Sequence, residues 1–227
     1  MIKAPMAIKI ETTDCTGLGD AELAEMADMC AEGAATFDVG LLSKHCEQWV
    51  LITQAREGGK LVGFSFCTLE RIGGTPSVLI GLASVRRSSR RDAALKALVG
   101  EQLRRAVLAF PDEDVLVGTR FVDPGALVAF VNLDDIVPRP GHKATGEERA
   151  WARRLAKRFG ADGRVNDRTF VVEGTGDQPP VLDFESADPT ANDPDVVALF
   201  GEVDRDRGDA LIVFGWAMAE DLAALGR

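Results

Sequence analysis

The sequence predicts an α+β fold: a mixed central sheet, made of an antiparallel meander and a parallel crossover, flanked by helices. Two observations carry this. Residues 49–85 hold three runs of β-forming residues, WVLITQARE, LVGFSFCTLERI and SVLIGLASV, parted by the turns GGK and GGTP. The spacing then becomes helical at Leu95, Leu98, Val99, Leu103, Ala106, Val107 and Phe110, until Pro111 stops it and VLVGTRFV at 115–122 returns to strand. Strand, helix and strand in that order make a parallel crossover appended to the meander.

The remaining elements follow from local signals. PMAIKIE at 5–11 alternates as a first strand. Asp20 suits a helix N-cap, and Leu23, Met26, Ala27 and Cys30 follow at helical spacing. A second helix is expected near 40–49. Asp123-Pro124 can start another helix, with Asp as cap and Pro at the first helical position, its apolar face using Leu127, Val128 and Val131. PRPG at 138–141 breaks the chain. Thr145 and Glu148 form a capping box for a helix carrying Trp151, Leu155 and Phe159, ended by Gly160. RTFVVE at 168–173 reads as strand, a short helix follows Pro194, and ALIVFGW at 210–216 is a last buried strand.

A chain of 227 residues suits one domain, here residues 1–227, with 174–208 as an acidic, proline-rich insertion or linker. Hydrophobic content of 46% and charged content of 27% fit a globular protein. No run of about 18 apolar residues exists to span a membrane, and the first residues lack the apolar core of a signal peptide, so the cytoplasm is the expected location. The four cysteines, Cys15, Cys30, Cys46 and Cys67, form no CxxC cluster and read as small apolar fillers; no metal site is expected. The two histidines, His45 and His142, complete no hydrolase triad.

The net charge of −10 is unevenly placed. Residues 173–227 carry 13 acidic residues against 3 basic ones, while the rest of the chain balances. An acidic chain of this kind is not expected to bind nucleic acid. Against that background Arg86, Arg87, Arg90 and Arg91 form a basic island in SVRRSSRRDAALKALVGEQLRRA, between a strand and a helix. A helix N-terminus presents amide hydrogens without intrahelical partners together with partial positive charge, and phosphates accept both. Arg90 and Arg91 add charge-assisted donors.

The order of elements over residues 5–135, and this turn above all, resembles the GNAT superfamily of acyl-CoA-dependent N-acyltransferases. Val85 matches the family's strand valine and Arg90 its arginine, while Ala93 and Leu95 stand at its two glycine positions, so the motif is degenerate. The resemblance implies acetyl-CoA or another acyl-CoA as co-substrate, held by Ala83, Ser84 and Val85 of the strand and by Arg90, Arg91, Asp92, Ala93, Ala94 and Leu95 of the turn. It also implies a small-molecule or peptide amine as acceptor. The family's tyrosine acid falls on Phe130, which cannot donate a proton, and the chain contains no tyrosine. The fourth strand carries no carboxylate, so the candidate bases are Glu70, the first choice, and Glu57. Exposed strand edges would suit a homodimer. Two readings stay open: an N-acyltransferase, or a catalytically inactive binding, regulatory or assembly module on the same fold.

Overall fold

The computed structural model describes residues 7–33, 37–183 and 192–225. Among these the helices are α1 (Asp20–Cys30), α2 (Val39–Gln48), α3 (Arg91–Ala109), α4 (Gly146–Arg158), α5 (Pro194–Ala198) and α6 (Ala219–Leu225). The strands are β1 (Ile8–Asp14), β2 (Leu51–Glu57), β3 (Lys60–Ile72), β4 (Thr75–Val85), β5 (Val115–Phe121), β6 (Asp134–Val137), β7 (Val171–Val172) and β8 (Ala210–Ala217).

They form one mixed sheet in the order β1-β2-β3-β4-β5-β8-β6, with β7 pairing on β8. Among the described strands, only β4 and β5 pair in parallel. This is the meander-plus-crossover sheet that the sequence predicts. Its two tight turns are chemically specified. Gly58 and Gly59 (φ 60° and 86°) and Gly73 and Gly74 (φ 59° and 92°) supply positive φ at both central positions, which two-residue hairpins of this hand require.

The helical stripe on α3 reads as expected: Leu95, Leu98, Val99, Leu103, Ala106 and Phe110 are all buried. This face packs along β1–β4 and against a 3-10 helix (Pro124–Phe130) and α6. Elsewhere glycines admit the helices and their neighbours closely. A Cβ on Gly81 would lie 2.3 Å from the Trp49 ring, and one on Gly118 2.9 Å from Leu155 of α4.

Three details differ from expectation. Residues 124–130 wind as a 3-10 helix, whose three-residue period turns Ala126, Ala129 and Phe130 inward and leaves Val131 exposed, so the expected face of Leu127, Val128 and Val131 is not the buried one. Of the strand expected at 168–173, only Val171–Val172 pairs, because Phe170 takes a positive φ of 65°. β6 and α6 have no clear sequence signature: β6 is a four-residue DDIV whose first residues are charged and exposed.

Candidate functional site

The parallel pairing of β4 and β5 spans only Ser77–Leu79 against Leu116–Gly118. Beyond it the ladder is interrupted. A register shift between Ser65 and Cys67 opposite β4 bends the strand there. Three residues of the same chain, Val181–Asp183, fill the opening. Ala83 N–H donates to Val181 O (3.0 Å) and Ala83 O accepts from Asp183 N–H (2.9 Å), while Leu182 N–H donates to Arg120 O on β5 (2.9 Å). The segment therefore supplies main-chain partners to both strands. Val181 and Leu182 are each 1% exposed and seal it with apolar contact.

Asp183 carries this insertion into the basic turn. Its Oδ2 accepts from Arg87 Nη1 (2.9 Å) and Arg91 Nε (2.8 Å), and lies 2.6 Å from Arg91 Nη2. Arg91 also donates to Asp92 Oδ1 (2.8 Å) and Gly125 O (3.2 Å). Burial pushes the Asp183 carboxyl up, against the pull of Arg87 and Arg91. The two outer arginines are engaged elsewhere: Arg86 with Glu32, and Arg90 with Glu57 at 3.1 Å. Two turn amides face inward to the turn itself, Arg90 N–H onto Ser88 Oγ (3.1 Å) and Arg91 N–H onto Ser88 O (3.1 Å).

The other residues singled out in the sequence are spread over several surroundings. Ser84 is half-buried, and Val85 is buried against Gly63. Asp92 and Ala93 are exposed on the first turn of α3, whereas Ala94 and Leu95 point into the core. Phe130 is fully buried and meets Phe121 edge-on at 5.3 Å. Glu70 pairs across the sheet with Ser77, at the end of β4 away from the basic turn, and is held by Arg158 through two hydrogen bonds of 2.6 and 3.0 Å. Its ion pair with Arg158 and the Arg90–Glu57 pair engage both carboxylates considered as bases. The cysteines are reduced, and burial pushes Cys30 up to about 11 and Cys15 and Cys67 up to about 12, which disfavours thiolate.

The root of the inserted segment is clasped as firmly as its tip. The Asp209 carboxylate accepts from Gly174 N–H (2.8 Å), Asp204 N–H (3.2 Å) and both Arg207 Nε and Nη2 (2.7 and 2.5 Å). These donors, the Arg207 guanidinium foremost, hold its carboxyl down at about 2. A Cβ on Gly174 would lie 2.1 Å from Arg207 O, so only glycine fits the clasp. Sequence reasoning assigned no role to Asp183 or Asp209. The available signal was the apolar pair Val181-Leu182, directly after Pro179 and Pro180 in a largely polar stretch.

The chain is similar to several solved structures. A ribosomal-protein-alanine N-acetyltransferase from Brucella melitensis biovar Abortus 2308 is 22% identical over 45% of this chain and 73% of that one, with a TM-score of 0.35. An aminoglycoside 6'-N-acetyltransferase from Enterococcus faecium is 16% identical over 52% of this chain and 64% of its own, with a TM-score of 0.40. The ribosomal-protein-S18-alanine N-acetyltransferase from Escherichia coli is 12% identical over 92% and 95% of the two chains, with a TM-score of 0.45. All three are N-acetyltransferases. No family model and no curated protein matches the chain.

Proposed function

We propose that this chain is built on the N-acyltransferase plan but gives the cofactor's groove to its own Val181–Asp183 segment, and works as a binding or assembly module. The occupied groove carries this reading. An acyl-CoA would bring an amide-bearing arm to the edge of β4 and a diphosphate to the basic turn. Both backbone groups of Ala83 are already bonded to Val181 and Asp183, and the Asp183 carboxylate sits on Arg87 and Arg91. Acyl-CoA does not fit this arrangement. The side chains agree with that reading: the chain has no tyrosine, β4 has no carboxylate, and Glu70 is engaged by Arg158.

One observation favours a second reading, an N-acyltransferase held shut by the same segment. Asp183 takes a positive φ of 47° and buries Oδ1 without a partner, which are local costs that displacement would relieve. In that case the acceptor is an amine, and the acidic C-terminal quarter would favour a cationic one.

Titration with acetyl-CoA, followed by thermal shift and calorimetry, separates the two. The module reading expects no response to millimolar acetyl-CoA in the wild type or in Asp183→Ala. A wild-type response approaching about 2.7 kcal/mol, as a ligand at about 100 times its Kd gives, overturns both closed-groove readings. A response confined to Asp183→Ala selects the second.

A further inference from the structure

Among the described residues, Arg120 is buried without a counter-charge. It lies on β5, is 8% exposed, and has its Cζ stacked over the Phe159 ring, 4.8 Å from the centroid. Its Nε has no hydrogen-bond partner, and among the described residues no carboxylate lies within ion-pair distance. The other buried arginine and aspartates among the described residues are all paired: Arg91 with Asp183, Asp123 with Arg205, and Asp209 with Arg207. A desolvated charge left unpaired is among the most expensive features a fold can keep, unless something supplies the missing partner.

The surroundings hold room for one. Arg120 lines a cavity of about 120 Å³ together with Arg164, the chain from Val172 to Pro180, Gly208 and Ala210. That is several waters' worth of volume, enough for a small oxyanion. Arg164 spends Nη1 on Glu173 O (2.7 Å) and Nη2 on Gly160 O (3.2 Å), and forms no ion pair with a described residue. Two like charges thus share one recess with no described acid bridging them. The acids at its rim, Glu173 and Asp177, are exposed and bridge neither arginine. His45 is also near Arg120, but burial holds its imidazole down to about 4, so it is neutral at pH 7 and adds no charge.

We propose that Arg120 and Arg164 form a binding site for a phosphate group in this cavity, separate from the basic turn after Val85. A guanidinium fork matches two oxygens of such a group, and the Phe159 ring stacked on Arg120 keeps water from that face of the charge. The walls include Pro179 and Pro180, immediately before the segment that fills the β4–β5 opening, so occupancy would also brace that segment.

The test uses the full chain at constant ionic strength, with sodium phosphate or sodium sulfate exchanged for sodium chloride. A saturable rise in Tm with phosphate, and matching calorimetric binding, are expected in the wild type. Arg164→Gln should bind about tenfold or more weakly, the loss of one charge-assisted contact. Arg120→Met should lose the response altogether and melt higher than the unliganded wild type, because the unpaired buried charge is gone. If Arg120→Met does not fold, Arg164→Gln carries the test. Glycerol phosphate run alongside identifies the source: binding tighter than that of free phosphate assigns the site to a phosphate ester, and weaker binding to the free ion. A wild-type response no larger than that to chloride overturns the proposal. So does a phosphate response that survives unchanged in either variant.

Discussion

Asp183 and Arg91 form a buried ion pair across 92 residues of sequence, with Oδ2 2.8 Å from Nε. Their side chains are 0% and 4% exposed, so neither charge is relieved by water. Removing one partner of such a pair strands the other. Asp183→Ala should therefore cost about 3–5 kcal/mol in urea unfolding. Replacing both partners by apolar residues, Arg91→Met with Asp183→Leu, should recover a large part of that loss. A single-variant cost below about 1 kcal/mol, the level of an exposed pair, would show that this contact does not hold the inserted segment.

The Asp209 clasp gives a pH signature. Its carboxyl is held down at about 2, against the ordinary aspartate value of 3.8. A group with a depressed native pKa adds stability that is fully present above its unfolded value and is lost as pH falls through the native one. The wild type should thus lose this contribution between about pH 4 and pH 2. Asp209→Asn should be less stable at neutral pH and show a shallower acid limb in thermal melts. An acid limb of unchanged slope in the variant would remove Asp209 from the acid response.

Gly81 and Gly100 should respond to alanine with opposite signs. A methyl group at Gly81 meets Trp49 at 2.3 Å, and Trp49 is only 8% exposed, so the ring must shift. Overpacking of this kind costs about 1–3 kcal/mol, and Trp49 emission should move to longer wavelength. Gly100 lies inside α3 with nothing within 4 Å of its Cβ direction. Gly100→Ala should stabilise by about 0.5–1 kcal/mol through helix propensity alone. Equal effects at the two positions would mean that the Trp49 contact is not close.

The sheet was legible because its signals are local. Paired glycines mark both hairpin turns, alternation and apolar runs mark β2–β5, and the stripe from Leu95 to Phe110 marks α3. The capping box at Thr145 and Glu148 also forms as read, with Thr145 N–H donating to Glu148 Oε2 (2.6 Å) and Glu148 N–H donating to Thr145 Oγ1 (3.2 Å). The site was only half legible. The basic turn could be found from its arginines, but the partner of two of them comes from Asp183, far along the chain, in a stretch whose composition reads as loop. Three residues that take their structure from pairing with β4 and β5 carry no period of their own. Arg120 was hidden for the opposite reason: within VLVGTRFV nothing distinguishes a buried arginine from one that reaches solvent at a strand end.

Hydrogen exchange at Ala83, Leu182 and Asp183 decides how permanently the groove is filled. Their amides form the three main-chain bonds between the segment, Arg120 and β4. If the segment is an integral strand of the module, these amides open only with the whole fold, and their protection should match the global unfolding free energy. If it is a latch, they should exchange through a partial opening that leaves the β2–β3 amides protected, as low-stability functional segments do. The module reading predicts the first pattern, with protection falling in Asp183→Ala by the same amount as global stability. Fast exchange confined to these three positions, with β3 still protected, would instead assign the segment to a moving part and revive the transferase.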